Sequence, residues 1–217
     1  MARHTKLLAT IAVTMLAGPV LVPEALAFPF HRNVGGVRLW SEAPIPLAID
    51  KVLARADALV RASQIDGPKT GRRIFLTDGG WRWHWLALGA DGAFGLTRPL
   101  LEAVIVNRSD VAADRVSNGA SIGGTRSLSG VIAHERTHGL IRARYGLVAE
   151  RTMPLWVREG YPDFVARESS LSDADAETVR HTNPGSPALA YHDARWRVAA
   201  VLSANGGSVD RLMADAR

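Results

Sequence analysis

A five-residue string in the middle of the chain, His134-Glu135-Arg136-Thr137-His138, constrains the fold most strongly. Histidines four residues apart on an α-helix lie about 40° apart around its axis, so both imidazoles can reach the same metal ion. The glutamate that follows the first histidine then points towards a water molecule on that metal and can accept its proton. The string therefore predicts a helix with a zinc site, with His134 and His138 as ligands and Glu135 as general base. Because so short a pattern also arises by chance, its surroundings must support it.

The residues around this string fit a helix with defined ends. Ser127 and Ser129 are candidate N-caps, basic residues gather in the last turn, and Gly146 is a natural C-terminal stop. Further along the chain, Glu159 is the obvious third ligand. A catalytic zinc commonly takes three protein ligands and keeps its fourth position for water, and two histidines with a glutamate form a standard set.

Glu159 belongs to a second string, Trp156-Val157-Arg158-Glu159-Gly160, and lies 21 residues after His138. Together the two strings resemble the gluzincin metallopeptidases, the thermolysin-like and aminopeptidase-like zincins. In that group the HExxH string lies on one helix and the third zinc ligand on a second helix, often within Trp-x-x-Glu-Gly. The resemblance covers roughly residues 127–166 and implies a zinc-dependent peptidase with an α+β fold. In that fold a small mixed sheet forms the upper wall of the cleft, the HExxH helix forms its floor, and the C-terminal half is helical.

The resemblance also implies roles for residues outside the two strings. Thermolysin-like members place an aspartate four residues after the ligand glutamate, where this chain has Asp163. Its carboxylate would hydrogen-bond His134 and fix the orientation of the ring. Several gluzincin-like families have a tyrosine at the start of a later helix, comparable to Tyr191, whose hydroxyl would stabilise the oxyanion on the attacked carbonyl. His181 and His192 are alternative donors, and a surface location for these side chains is the other option.

Two residues depart from the family pattern. Arg136 places a charge between the histidines and points away from them, along with Ile132 and Leu140. That face of the helix usually packs into the core, so Arg136 must reach solvent or a carboxylate. Pro162 follows Glu159 by three residues, and proline within a helix removes a hydrogen bond. We therefore expect the ligand helix to bend or to stop early.

The amino terminus predicts export. Arg3, His4 and Lys6 form a basic segment, residues 7–22 are an apolar run, and Ala25-Leu26-Ala27 matches an A-x-A cleavage signal. The run is short and contains a proline, which disfavours a transmembrane helix, although an uncleaved membrane anchor is the alternative. We expect residues 1–27 to be a signal peptide and the mature chain to be periplasmic or secreted, without stable membrane insertion.

The composition of the chain limits the kinds of molecule that it is expected to bind. The 217 residues carry a formal net charge of +5, with 23 arginines and 3 lysines scattered along the chain, and no cysteine. Scattered arginines are typical of a generally basic surface rather than of a nucleic-acid footprint, so we expect no nucleic-acid partner. Without disulfides, the core and the metal must stabilise an exported protein. The expected partner is a peptide or protein substrate, and the sequence does not indicate an oligomeric state.

Hydrophobic periodicity predicts an α+β arrangement within one metallopeptidase domain, residues 28–217. Residues 47–65 space apolar side chains at helical intervals. The predicted strands are residues 73–77, 81–88, 92–96 and 102–107. A loop rich in glycine and serine, residues 119–124, leads into the zinc-site helix. We expect residues 28–124 to be sheet-rich and residues 125–217 to be helical.

Two of the predicted strands bear on the substrate. Trp81, Trp83 and Trp85 alternate, so on a strand they share one face, either as an aromatic wall for substrate or packed against a helix. His84 would then face the other way and is not counted as a ligand. The strand at residues 103–107 is either the edge along which an extended peptide binds or a buried central strand.

The sequence therefore predicts a zinc-dependent metallopeptidase, with Zn²⁺ as cofactor and Glu135 activating the water. Two other interpretations stay open. One is a catalytically degenerate zincin-fold protein that binds a partner or supports structure in the cell envelope. The other is a zinc hydrolase of a non-peptide amide, such as one in the cell wall. Arg136 and Pro162 slightly favour the degenerate protein, whereas the intact ligands and base argue against it.

Overall fold

Two β-sheets lie in the N-terminal half of the chain, and helices make up the C-terminal half. The computed structural model describes residue 18, residues 21–65, residue 67 and residues 70–216. The strands are β1 (Phe30–Val34), β2 (Val37–Ser41), β3 (Arg73–Leu76), β4 (Gly95–Arg98), β5 (Ala103–Val106), β6 (Arg108–Asp110), β7 (Arg115–Ser117) and β8 (Thr125–Ser127). A mixed sheet has the order β1-β2-β3-β5-β4, with β2, β3 and β5 parallel and the two outer strands antiparallel to their neighbours. The strands β6, β7 and β8 form a small antiparallel sheet. The α+β class is confirmed.

Both faces of the five-stranded sheet are covered. Along β3, Ile74 and Leu76 belong to one apolar cluster and Phe75 to another, as the two-residue period of a strand requires. All four residues of β5 are buried, and β5 lies between β3 and β4. The strand predicted at residues 103–107 is therefore a buried interior strand and not an edge strand, and the edge strand beside it is β4.

The histidine string lies on the longest buried helix. The helices are α1 (Ile49–Arg61), α2 (Trp81–Ala87), α3 (Leu128–Tyr145), α4 (Leu147–Thr152), α5 (Leu155–Arg158), α6 (Gly160–Ala166), α7 (Asp173–Thr182), α8 (Pro187–Ala204) and α9 (Val209–Asp215). Every residue of α3 from Leu128 to Arg142 is buried. Its first turns pack with the sheet and α1, and its later turns pack with the C-terminal helices. A helix buried around its whole circumference must satisfy its charged side chains inside the fold.

Both ends of α3 follow the sequence prediction. The Ser127 hydroxyl accepts a hydrogen bond from the Gly130 N–H at 3.0 Å, which makes it the N-cap. Arg142 and Arg144 lie in the last turn. Gly146 ends the helix with a φ of 92°, a conformation that glycine adopts without strain.

The prediction of a strand at residues 81–88 is wrong, because Trp81–Ala87 form α2. Trp83, Leu86 and Ala87 have helical spacing and are buried against the outer face of the sheet. Residues two apart on a helix point about 200° apart, so Trp83 faces away from Trp81 and Trp85. Trp83 is 1% exposed and Trp81 is 57% exposed. Over so short a segment, alternating tryptophans fit both the period of a strand and that of a helix. The helix forms because it buries Trp83 and Leu86 against the sheet.

The other predicted elements are present with shifted ends. The helix predicted at residues 47–65 is the shorter α1, and the strands predicted at residues 73–77 and 102–107 are β3 and β5. The strand predicted at residues 92–96 begins later, as β4. Residues 119–124 contain no helix or strand, as expected of a loop.

Most of the predicted signal peptide lies outside the described residues. Its last part is described, and Pro23–Leu26 form a 3₁₀ turn. Leu26 and Phe28 are buried against the sheet, and Glu24 pairs with Arg73. Within the described ranges, no helix combines the length and the apolar character that crossing a bilayer requires. The signal peptide and its cleavage stay predictions, as does the division into domains.

Candidate metal centre

The side chains of His134, His138 and Glu159 converge on one point of the fold. The two histidine Nε2 atoms are 3.2 Å apart. Glu159 Oε2 lies 3.6 Å from Nε2 of His134 and 3.5 Å from Nε2 of His138. Ligand atoms about 2.0–2.1 Å from a tetrahedral zinc are about 3.3 Å apart, so this nearly equilateral triangle has the size that the ion requires. Both histidines are buried, and the group can hold a metal ion.

Glu159 lies where two short helices meet. The helix α5 ends at Arg158 and α6 begins at Gly160, so the interruption falls at the ligand itself. Pro162, which we expected to bend or stop the helix, lies in the first turn of α6, where its missing N–H has no intrahelical partner. The next N–H, of Asp163, donates to the Glu159 carbonyl at 3.1 Å. Pro162 therefore leaves the hydrogen bonds of α6 intact.

The imidazole of His134 is held from its far side by Asp163. The Oδ1 atom of this fully buried carboxylate is 2.7 Å from Nδ1 of His134. The same oxygen pairs with Arg126 at 2.9 Å, and the Ser169 hydroxyl donates to Oδ2 at 3.0 Å. A carboxylate that accepts the Nδ1 proton leaves the Nε2 lone pair free for a metal. The contact that the family resemblance implies for Asp163 is present, and the sequence did not indicate Arg126 or Ser169.

The second histidine has a carboxylate partner that sequence reasoning missed. Glu150 Oε1 is 3.1 Å from Nδ1 of His138, and Arg142 Nη1 is 3.7 Å from that oxygen. Glu150 lies on α4, which follows the chain reversal at Gly146. No spacing rule connects residues on two helices joined by a turn, so the sequence alone gave no signal for this contact.

Glu159 and Glu135 each have one carboxylate oxygen that accepts a hydrogen bond from a neighbouring side chain. Arg158 Nε donates to Glu159 Oε1 at 3.1 Å, which leaves Oε2 facing the histidines. The Thr97 hydroxyl, on β4, donates to Glu135 Oε2 at 2.7 Å. Glu135 is 6% exposed, and this hydrogen bond fixes its carboxylate beside the ligand triangle. Thr97 was not singled out in the sequence because it reaches the site from the sheet.

A cleft of about 690 Å³ opens over these residues. Its lining includes Gly95 to Thr97 of β4 on one side, His134, Glu135 and His138 of α3, and Tyr191 of α8. Burial, together with the nearby charge of Glu159, raises the pKa of Tyr191, so its hydroxyl keeps its proton at neutral pH and can donate. The catalytic role of Tyr191 stays a prediction.

The alternative donors and the tryptophans lie elsewhere. The side chain of His181 is 77% exposed and pairs with Glu177 on its own helix. His192 is buried between Asp173 and Asp193. Among the described residues, the cleft lining includes neither histidine and no tryptophan. The interpretation of the tryptophans as a substrate wall is therefore wrong.

The centre stabilises positive charge. Burial alone lowers the pKa of both histidines, but the charge of Asp163 reverses this for His134, whose pKa is raised. Hydrogen bonds with Glu150 and Glu159 raise the pKa of His138 to about 10, against the effect of burial. Burial alone raises the pKa of Glu159, and the two histidines lower it far below its ordinary value. A divalent cation supplies the same positive charge without protons on the rings.

Comparisons with protein-family models, with curated proteins and with solved structures found no significant match. The resemblance to gluzincins therefore rests on the two sequence strings and on the arrangement of their side chains.

Proposed function

We propose that the chain is a zinc-dependent metallopeptidase that hydrolyses peptide bonds. The observation that carries this proposal is the triangle of His134, His138 and Glu159, which faces the same cleft as the Glu135 carboxylate. Three ligands of this kind suit a catalytic zinc, which would lower the pKa of a bound water towards neutrality and polarise the substrate carbonyl.

The chain's own residues then supply the proton transfers. Glu135, held by Thr97, accepts a proton from the attacking water and delivers it to the leaving amine. The Tyr191 hydroxyl donates a hydrogen bond to the carbonyl oxygen as negative charge develops there. Asp163 keeps the His134 ring in the orientation that ligation needs.

The free edge of the sheet favours a peptide over other amides. Among the described strands, β4 is an outer strand of the five-stranded sheet and lines the cleft. An outer strand offers unpaired N–H and C=O groups, to which an extended peptide can add as a further strand. The strand passes close to the base, because a Cβ added at Gly95 would lie 3.4 Å from Cγ of Glu135. A bound peptide would therefore present its main chain to Glu135.

The test is turnover of a mixed peptide library by the full-length chain in the presence of zinc. Glu135→Gln should keep its zinc and lose about 10²- to 10⁴-fold in rate, because the general base is removed. His138→Ala should lose both zinc and activity. Glu177→Gln is the matched control, since this carboxylate is 66% exposed and, within the described part of the chain, its ion pairs are with side chains of its own helix. A clean Glu135→Gln preparation that cleaves at the wild-type rate would contradict the assignment of the base.

The same assay separates the competing functions. A wild-type chain that binds zinc but cleaves no peptide would contradict the peptidase. Turnover of a cell-wall amide by that chain would then identify a non-peptide hydrolase. Zinc binding without turnover of either substrate would favour the degenerate binding protein.

A further inference from the structure

A buried carboxylate, Glu150, contacts the second histidine from outside the ligand triangle. Glu150 is 5% exposed, and its Oε1 lies 3.1 Å from Nδ1 of His138. With the proton on Nδ1 donated to this oxygen, Nε2 carries a free lone pair directed at the triangle. An imidazole without such a partner can turn about its side-chain bonds and present either nitrogen. The contact therefore fixes both the tautomer and the ring angle of His138.

Folding alone does not explain a carboxylate at this position. Among the described residues, Glu150 Oε2 is buried and has no hydrogen-bond partner. Arg142 reaches the other oxygen only at 3.7 Å. A buried carboxylate that is incompletely paired costs folding free energy that an apolar side chain of similar size would not. The contact with His138 thus points to a role in the centre.

Arg142 is an immobilised positive charge beside the Glu150 carboxylate. Arg142 follows His138 by one helical turn on α3. Its guanidinium also donates two hydrogen bonds to the carboxylate of Glu102, which lies in the connection between β4 and β5. The two hydrogen bonds to Glu102 are 3.0 and 2.9 Å long. The arginine is therefore anchored to the sheet while its Nη1 faces Glu150.

The first histidine has the same arrangement. Behind His134, Asp163 accepts from the ring and Arg126 pairs with Asp163 at 2.9 Å. Each histidine of the triangle thus has a carboxylate on Nδ1 and an arginine behind that carboxylate. The repetition at two sites, built from different elements, supports a common role.

We propose that Glu150, held by Arg142, is a positioning residue that orients His138 for metal binding. The proposal rests on the metal site of the proposed function, but not on the activity assigned to that site.

The experiment measures the zinc dissociation constant of the full-length chain by competition with a chromogenic chelator. Glu150→Leu should weaken zinc binding about 10- to 100-fold, because the ring loses its orienting partner. Glu150→Gln keeps the volume and an acceptor oxygen but loses the charge, so its affinity should lie between wild type and Glu150→Leu. Glu177→Gln is the control. This exposed carboxylate pairs with side chains of its own helix, α7, and contacts neither His138 nor Arg142, so its zinc affinity should stay close to that of wild type.

Two further readouts separate positioning from a structural role. The visible absorption spectrum of the Co²⁺-loaded protein should change in Glu150→Leu and not in Glu177→Gln, since it reports the ligand geometry. The Tm of the metal-free protein should be no lower in Glu150→Leu than in wild type, whereas the increase in Tm on adding zinc should be smaller.

Wild-type zinc affinity and an unchanged Co²⁺ spectrum in both Glu150 variants would overturn the proposal. So would a lower Tm of the metal-free variants with an undiminished gain on adding zinc, which is the signature of a structural role. If Glu150→Leu does not fold, the same criteria apply to the near-isosteric Glu150→Gln. A wild-type chain that binds no zinc is a distinct result, because it contradicts the metal site and the positioning role together.

Discussion

Arg136 shows how a charge inside the histidine string is kept away from the metal centre. Its guanidinium lies on the face of α3 opposite the histidines, 2.6 Å from Asp57 of α1 and 3.4 Å from the Gly71 carbonyl. Burial lowers the pKa of Arg136, and the charge of Asp57 partly offsets this. The sequence required Arg136 to reach either solvent or a carboxylate, and the structure shows the carboxylate. The pair stabilises the contact between α1 and α3 and does not compete for the ligands.

Asp57→Asn should therefore destabilise the fold and leave zinc binding intact. The variant leaves Arg136 buried without an anion, and because Asp57 is half exposed we expect a loss of about 1–2 kcal/mol rather than the larger cost of a fully buried pair. Urea unfolding of the metal-free protein measures it. Asp50→Asn on the same helix is the control, since Asp50 pairs at the surface with Arg32 and should change stability by less than about 1 kcal/mol. Equal unfolding free energies for the two variants would contradict this account.

Single residues differ in how far the sequence can predict them. The convergence of His134 and His138 follows from the geometry of one helix, which fixes the relation between residues four apart. The prediction of Glu159 as the third ligand required the second string, Trp156 to Gly160, as well. Glu150 and Thr97 were not predictable, because they reach the site from α4 and β4, and only tertiary packing decides where those elements lie.

At the scale of elements, the position of Glu159 depends on how closely α6 approaches α8. A Cβ added at Gly160 would stand 2.6 Å from the carbonyl oxygen of Ala194 and 2.7 Å from its carbonyl carbon. Backbone atoms cannot move aside as a flexible side chain can. The glycine after the ligand glutamate therefore allows the close packing that places Glu159 under the histidines.

Gly160→Ala should lower both stability and zinc affinity. We expect a loss of about 1–3 kcal/mol in the free energy of unfolding, because the added methyl group forces α6 and α8 apart. Zinc affinity should fall as well, since Glu159 moves with α6. Gly185→Ala serves as the control, because nothing lies within 4 Å of a Cβ added there. Wild-type Tm and zinc affinity in Gly160→Ala would show that the contact does not position the ligand.

The type of element was predictable for α1, where apolar residues keep a helical spacing over a long segment, and for α3, where the histidine string and the residues at both ends mark a helix. The prediction for α2 was wrong, because a segment of seven residues with alternating tryptophans fits a strand as well as a helix. The segment is a helix because, in that conformation, Trp83 and Leu86 pack against the outer face of the sheet. Such a choice depends on a surface formed by other parts of the chain.

At the scale of the whole molecule, the arrangement of sheets before helices was predictable, whereas one of the four carboxylates at the metal centre, Glu150, was not. The chain has a formal net charge of +5. Its metal centre nevertheless gathers four carboxylates around two histidines; these are Glu135, Glu150, Glu159 and Asp163. Arg126, Arg142 and Arg158 pair with three of these carboxylates, and Glu159 Oε2 still faces the two histidines, where a cation can bind.

Zinc affinity should rise with pH. In the metal-free protein the pKa of His138 is raised to about 10, so its ring holds a proton that zinc must displace, and the pKa of His134 is raised as well. Lower pH favours the protonated rings and opposes binding, and the apparent affinity should rise by about tenfold or more per pH unit between about pH 6 and about pH 8. Chelator competition at a series of pH values measures this. An affinity that stays constant across the range would contradict proton displacement from the histidines.

The most direct test of the central claim is the zinc content of the purified full-length chain, compared with that of Glu159→Ala. After equilibration with zinc and removal of the excess, the wild-type chain should retain near-stoichiometric metal, and the variant should retain far less because one corner of the triangle is missing. Wild-type protein that is free of zinc and takes up none when it is supplied would contradict the metal centre.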